Sequence, residues 1–153
     1  MKTDQYLREQ GVAFEHHTHS PVYTAQELAA EEHIPGRQVA KAVIVHAEER
    51  GYVMCVLPAS QKLDLTKVGY ALGVKRCRLA EESEMGELFP DSEIGAEPPF
   101  GNLYNMSTLV DSRLAEDSRI LFPAGSHRDA IEMSYADYAR LASPVVADIS
   151  VHI

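Results

Sequence analysis

Val39-Ala40-Lys41-Ala42-Val43-Ile44-Val45-His46-Ala47-Glu48-Glu49-Arg50-Gly51-Tyr52-Val53-Met54-Cys55-Val56-Leu57 is the stretch whose reading decides the fold class. Val39 to Ala47 and Tyr52 to Leu57 are rich in β-formers, and Glu48-Glu49-Arg50-Gly51 separates them. Two such runs joined by a short polar segment ending in glycine read as a β-hairpin. The first run is apolar at consecutive positions, the pattern of a strand buried on both faces. Lys41 interrupts its start. A lysine there either snorkels to the surface or aims a charge into a cleft, where it would hold a phosphate or polarise a carbonyl.

Outward from the hairpin, helices and strands mix without strict alternation. Toward the N-terminus, Thr3 to Glu9 reads as a short helix ended by Gly11, and Ala13 to Thr18 as a strand. Thr24 and Glu27 have capping-box spacing, so a helix is expected from Ala25 to His33, stopped by Ile34-Pro35-Gly36. Toward the C-terminus, Asp64 caps a helix through Leu72 that Gly73 ends. A strand over Lys75 to Leu79 and an acidic helix over Glu81 to Phe89 follow. Thr108 to Asp111, Ile120 to Pro123 and Ala130 to Ser134 read as strands. Ser134 with Asp137 opens a last helix through Ala142, and Val145 to Ile149 reads as an edge strand. The expectation is an α/β (α+β) fold, a mixed sheet with surrounding helices, built as a single domain over 1–153.

Composition narrows the function. Hydrophobic residues make up 45% of the 153 and charged residues 24%, enough for a packed core. No apolar run approaches the ~20 residues of a membrane span, and Met1-Lys2-Thr3-Asp4-Gln5 does not open a secretory signal. A cytoplasmic protein with Cys55 and Cys77 as free thiols is expected. The net charge of −9 argues against a general nucleic-acid binder, whose affinity comes from neutralising phosphates. Charge is uneven, however. Lys62, Lys67, Lys75, Arg76 and Arg78 face a single acid, Asp64, whereas Leu79 to Glu97 holds seven acids and no base. The basic stretch is either a phosphate track or a solvated helix face and strand end.

Candidate chemistry is sparse. Gly95-Ala96-Glu97-Pro98-Pro99-Phe100-Gly101 brackets two prolines and one aromatic with glycines. Such a loop is stiff without regular structure. It is either a rigid turn or a cradle of backbone N–H groups aimed at an oxygen. Gly125-Ser126-His127 follows an expected strand, where small-residue turns often bind, and His127 could act as acid or base near neutral pH. His16, His17 and His19 raise the question of a metal, with Cys55 or His127 as further ligands, but no familiar zinc spacing is present. Neither a nucleophile elbow, a P-loop nor a dinucleotide fingerprint occurs.

Taken in order, five segments resemble the YbaK family, the editing domain related to the insertion domain of bacterial prolyl-tRNA synthetases. They are His19-Ser20-Pro21-Val22-Tyr23-Thr24-Ala25, Val39-Ala40-Lys41-Ala42, Leu57-Pro58-Ala59-Ser60 with Lys62-Leu63-Asp64-Leu65, Gly95 to Gly101, and Ala124-Gly125-Ser126-His127. The resemblance implies hydrolysis of the ester joining a wrong amino acid to the 3′ end of a tRNA, with neither metal nor cofactor. It implies a lysine, here Lys41, that positions the terminal nucleotide, and a Gly-x-x-x-Pro segment, here Gly95 to Pro99, that lends backbone groups to the aminoacyl moiety. Water would attack with help from the substrate's own ribose hydroxyl. On this basis Lys41, Gly95, Pro99 and His127 are the expected catalytic positions. Tyr23, Thr24, Ala96, Glu97, Pro98, Phe100, Gly101, Gly125 and Ser126 are the expected substrate contacts. Glu97 and Pro98 depart from the small or apolar residue and Ser or Thr of several relatives, so an acid there either meets the substrate's ammonium or points to solvent. The expected partner is a tRNA acceptor end, with a synthetase or elongation factor as helper. A non-catalytic binding module of the same fold and a metal-dependent hydrolase using the histidine cluster are the competing readings.

Overall fold

The computed structural model describes residues 2–153; Met1, the first residue of the N-terminal stretch read above, lies outside them. In chain order the elements are α1 (Lys2–Glu9), β1 (Phe14–Thr18), α2 (Ala25–Glu31), β2 (Ala40–Ala47), β3 (Gly51–Pro58), β4 (Gln61–Leu63), α3 (Leu65–Leu72), β5 (Cys77–Leu79), α4 (Glu82–Leu88), β6 (Ser107–Asp111), β7 (Arg119–Pro123), β8 (Asp129–Ser134), α5 (Tyr135–Ala142), β9 (Val145–Ala147) and β10 (Ser150–His152). Three short 3₁₀ turns, at Gly36–Gln38, Gly101–Tyr104 and Leu114–Glu116, link them.

The hairpin forms and centres the fold. β2 and β3 pair antiparallel from Ala40↔Pro58 to Ala47↔Gly51, and Gly51 turns the chain at a φ of 77°. They sit within a five-stranded sheet of order β5-β2-β3-β6-β9, in which β3, β6 and β9 run parallel. The mixed sheet is therefore as expected, with β9 at its edge. Ile44 faces one apolar cluster, with Met54, Val56, Val110 and Phe122. Val45 and Ala47 face another, with Val53, Cys55, Val68 and Leu72. The apolar run in β2 thus reflects burial of both faces of the sheet. A second sheet, β1-β8-β7, packs beside the first, and a parallel bridge between Val39 and Leu121 joins the two.

Local chemistry sets the helix ends. Thr24 accepts from Glu27 N at 3.0 Å, Asp64 from Thr66 N and Lys67 N, and Ser134 from Asp137 N. Each satisfies N–H groups the helix leaves without internal partners. α2 stops at Glu31, short of the expected His33, because His33 turns left-handed at φ 55°. β9 ends at Ala147 instead of continuing to Ile149, because Ile149 N leaves the ladder for the buried Asp111 carboxylate at 3.2 Å. β4 and β10, which the sequence reading lacks, are three-residue strands that pair only with each other. No helix among the described residues is long and apolar enough to cross a membrane.

Two glycines separate space from backbone freedom. A Cβ at Gly101 would sit 2.4 Å from Thr108 Oγ1 and 2.8 Å from Met106 O, whereas a Cβ at Gly86, inside α4, meets nothing within 4 Å. Gly101→Ala should destabilise by about 1–3 kcal/mol through overpacking. Gly86→Ala should stabilise by about 0.5–1 kcal/mol through backbone entropy. Urea denaturation of the two variants checks the opposite signs.

Candidate functional site

Strand pairing brings the quoted segments together. The Val39–Leu121 bridge runs β2 alongside β7, which sets Lys41, two residues on, level with Pro123 at the end of β7. The turn Gly125-Ser126-His127 follows directly. The segment before α2 folds over this corner, held by His19 N to Arg128 O at 2.9 Å and Val22 N to His127 O at 3.0 Å. Between these pieces lies a narrow cleft of about 40 Å³. Lys41, Tyr23, Thr24, Gly95, Ser126 and His127, all expected site residues, line it. Pro123, Val22, Ala25 and Leu28 add apolar wall, and His19 and Asp129 add two polar groups that the sequence reading does not assign to the site. The spacing Ser126-x-x-Asp129, a hydroxyl and a carboxylate across one turn, is the signal that points to Asp129.

The polar groups are ordered by one another. Burial holds the Lys41 ammonium below its usual value, as expected for a charge withdrawn from water. Ser126 Oγ donates to Asp129 Oδ2 at 2.6 Å and accepts from Arg128 N at 3.1 Å. His16 Nε2 lies 2.7 Å from Asp129 Oδ1. The Ser126 hydrogen bond, with the His16 bond assisting, keeps the Asp129 carboxyl below the ordinary range. The Tyr23 and His127 rings lie 4.8 Å apart. His19 Nδ1 is 2.7 Å from Ser20 O; a carbonyl only accepts, so Nδ1 carries the proton.

The Gly95 loop corrects the expectation of a backbone cradle. Glu97 is 4% exposed and accepts from Gly95 N with both carboxylate oxygens, at 2.8 and 3.1 Å. Ala96 N donates to Glu93 O, Phe100 N to Pro98 O and Gly101 N to Thr108 Oγ1. Pro98 and Pro99 have no N–H to offer. Gly95, Ala96, Phe100 and Gly101 therefore each spend their N–H inside the protein. Ala96, Pro98, Pro99, Phe100 and Gly101 are buried beneath the cleft and do not line it. The Phe100 ring packs against Tyr6, Phe122 and Tyr138. Tyr138 Oη donates to Pro99 O at 2.8 Å. Gly95 alone reaches the cleft, at φ 89°. Ala96, Pro98, Phe100 and Gly101, expected as substrate contacts, and Pro99, expected as a catalytic position, thus form a buttress instead of lining the cleft. Glu97 points neither to solvent nor into the cleft.

Gly125 joins the buttress. Its N donates to Ala96 O and its O accepts from Glu93 N, both at 2.9 Å, while His127 N donates to Glu93 Oε1 at 2.8 Å. These bonds stitch the Gly95 loop to the Gly125 turn and fix the wall that carries Ser126 and His127.

The three N-terminal histidines diverge. His16 engages Asp129, His17 Nδ1 lies 2.6 Å from Glu32 Oε1, and His19 engages Ser20 O. Cys55 is buried in the core, its thiol pushed up to about 12 by burial. His17 does lie near Glu15 and Glu132, with ligand atoms within 4.8 Å of one another, but Arg119 pairs with both carboxylates. The basic stretch is likewise divided. Lys67 bonds Asp148 and Ser150 O, and Arg78 pairs with Glu84 at 2.7 Å. Lys75 and Arg76 stand exposed beside a groove of about 800 Å³ between α3 and β5.

Burial raises the Glu97 carboxyl above its ordinary 4.5. The folded protein then holds this proton more tightly than the unfolded chain, so stability falls as pH rises from the ordinary value through the raised one. Glu97→Gln keeps an acceptor for Gly95 N and removes the charge. Thermal melts between pH 4 and 8 should show that part of the decline absent from the variant.

A family model described as "Aminoacyl-tRNA editing domain" matches residues 19–141. The chain is 30% identical over 142 residues to the multifunctional Ser/Thr-tRNA deacylase ProXp-y of Escherichia coli (strain K12), covering 90% of this chain and 84% of that protein. The crystal structure of the hypothetical protein APE2540 superposes with a TM-score of 0.89 at 24% identity, covering 99% of this chain and 100% of that one. A candidate trans-editing enzyme for prolyl-tRNA synthetase superposes with a TM-score of 0.84 at 22% identity, covering 98% and 95%. With residues 19–141 matched and a relative aligned along nearly its whole length, this chain belongs to the aminoacyl-tRNA editing domain family.

Proposed function

We propose that this protein is a hydrolase of mischarged aminoacyl-tRNA, acting in trans on the ester at the tRNA 3′ end, in the cytoplasm where tRNAs are charged. The observation that carries this reading is the half-buried Lys41 held at the mouth of a narrow cleft between the Gly125-Ser126-His127 turn and the segment before α2. A charge in that place grips a phosphate or the terminal nucleotide and leaves the ester over the cleft. The relative's Ser/Thr-tRNA deacylase activity supports small amino acids as substrates. So does the cleft's volume, which accommodates only a few water-sized groups.

Ser126 is a poor nucleophile here. A serine is activated by a base that takes its proton, but Ser126 donates to a carboxylate held below its ordinary range, and Arg128 N occupies a lone pair. Water is the better attacking group, and the aminoacyl ester is already activated. Positioning and the Lys41 charge do the work, on the scale of about 3 kcal/mol for one well-placed electrostatic group.

The net charge of −9 makes unaided tRNA binding weak. Lys75 and Arg76 are two of the exposed cations; the groove beside them begins near His46, about 17 Å from Lys41 along β2 at ~3.4 Å per residue. A synthetase or elongation factor presenting the acceptor end would add the remaining affinity.

Lys41→Ala should lower deacylation of Ser-, Thr-, Ala- or Cys-charged tRNA on the order of 10²-fold with the melting temperature retained. Unchanged rates would remove Lys41 from the reaction. Binding of a non-hydrolysable aminoacyl-adenosine without turnover of any charged tRNA would make the chain a silent binding module instead. Lys75→Ala with Arg76→Ala should raise KM, leave kcat unchanged and flatten the dependence of binding on salt by about one to two phosphate contacts; rates measured from 50 to 200 mM salt read this out.

A further inference from the structure

One polar atom at the cleft has no protein partner. His19 Nε2 is buried and makes no hydrogen bond among the described residues, and its ring lines the cleft beside Lys41, Ser126 and His127. Its protonation pattern is settled by the neighbouring bond: Nδ1 donates to Ser20 O, so in the neutral ring Nε2 presents a lone pair. The backbone on either side is pinned, His19 N to Arg128 O and the ring to Ser20, so Nε2 cannot easily swing to another donor. A buried acceptor left without a donor forfeits the hydrogen bond it would make with water. A donor that arrives with a ligand recovers that loss.

We propose that His19 orients the substrate by accepting a hydrogen bond, through Nε2, from the ribose hydroxyl vicinal to the ester. This assignment rests on the deacylase reading and adds a residue to it. The 3′ end of any aminoacyl-tRNA brings the ammonium, the adenine amino group and that hydroxyl, and a Ser or Thr side chain adds a hydroxyl of its own. The ammonium is better served by the Asp129 carboxylate in the same cleft, which already carries the His16 and Ser126 bonds. The adenine amino group lies a ribose away from the ester. The vicinal hydroxyl is the neutral donor adjacent to the reacting bond that every aminoacyl ester carries, whatever its side chain, and it matches a lone pair on Nε2. The charged and titratable groups facing His19 are Lys41 from β2, His127 from the turn after β7, and Asp129 from β8 with His16 behind it.

With its hydrogen directed to Nε2, the hydroxyl oxygen turns a lone pair toward the attacking water. Water oxygen bonds to the ester carbonyl carbon, the bond from that carbon to the ribose oxygen breaks, and the departing ribose oxygen takes a proton from the water. The products are the free amino acid and the tRNA 3′ hydroxyl. His19 ends with the proton it began with, on Nδ1.

The test is a cycle between protein and substrate. Mischarged tRNA ending in adenosine or 2′-deoxyadenosine, esterified at the 3′ oxygen, is deacylated by wild type, His19→Ala and His19→Gln. His19→Ala should lower kcat about 10-fold on the ribose substrate and not at all on the deoxy substrate. His19→Gln, whose amide oxygen can stand near Nε2, should recover part of the loss. Equal losses on both substrates would overturn the assignment. A parallel titration with 3′-aminoacylamino-adenosine and its 2′-deoxy form separates this result from failure of the deacylase reading. Wild type should prefer the ribose form and His19→Ala should not, whether or not any charged tRNA is turned over. Equal preference in the two proteins overturns the proposal even where Lys41→Ala confirms deacylation.

Discussion

The burial of Phe100 constrains everything that stands above it. Its ring is wholly buried among Tyr6 of α1, Phe122 of β7 and Tyr138 of α5, so a single side chain joins elements from both ends of the chain. Edge-on aromatic contacts of this kind add about 0.5–1.5 kcal/mol each beyond the area they bury. The Tyr138 hydroxyl then takes Pro99 O, which leaves the backbone just ahead of the ring no freedom to shift. With that anchor in place the remaining residues back to Gly95 rise to the cleft along one path.

The stitch between the Gly95 loop and the Gly125 turn depends on this anchor. Glu97 is a buried acid whose carboxylate finds backbone donors, the arrangement that makes burial of a charge tolerable. It closes the turn at Gly95, and Glu93 and Ala96 then reach across to His127 and Gly125. The wall of the cleft is therefore rigid by hydrogen bonding, while its floor is rigid by packing. A site that acts by holding an activated ester in place needs both.

The same organisation explains how an acidic protein can serve a nucleic-acid substrate. Several of its cations are neutralised locally: Arg78 by Glu84, Lys67 and Arg113 by Asp148. Lys41 lies at the cleft on β2, and Lys75 and Arg76 stand exposed beside the groove between α3 and β5. A few unpaired charges at chosen places favour an acceptor end over nucleic acid in general, because affinity scales with the phosphates neutralised.

The sequence alone determined those features whose causes are local. The β2–β3 hairpin follows from two apolar runs and a polar turn, and the caps at Thr24, Asp64 and Ser134 from side chains that reach N–H groups two or three residues on. The order of the quoted segments carried the family, and Lys41, Tyr23, Ser126 and His127, singled out in the sequence, line one cleft. Tertiary structure alone decided which backbone donors remained free. Nothing local indicates that Glu97 turns back onto Gly95, that Gly101 faces Thr108 Oγ1, or that Phe100 fills the core instead of a binding surface. Those outcomes depend on partners as distant in the chain as Tyr6, which packs on Phe100 from α1. The short β4–β10 pair was invisible for the same reason, since Ser150 Oγ meets Gln61 Oε1 across 89 residues. The lone pair on His19 also emerged only in three dimensions: the sequence shows a histidine, but only packing shows that one of its nitrogens is buried at a cleft with no donor to meet it.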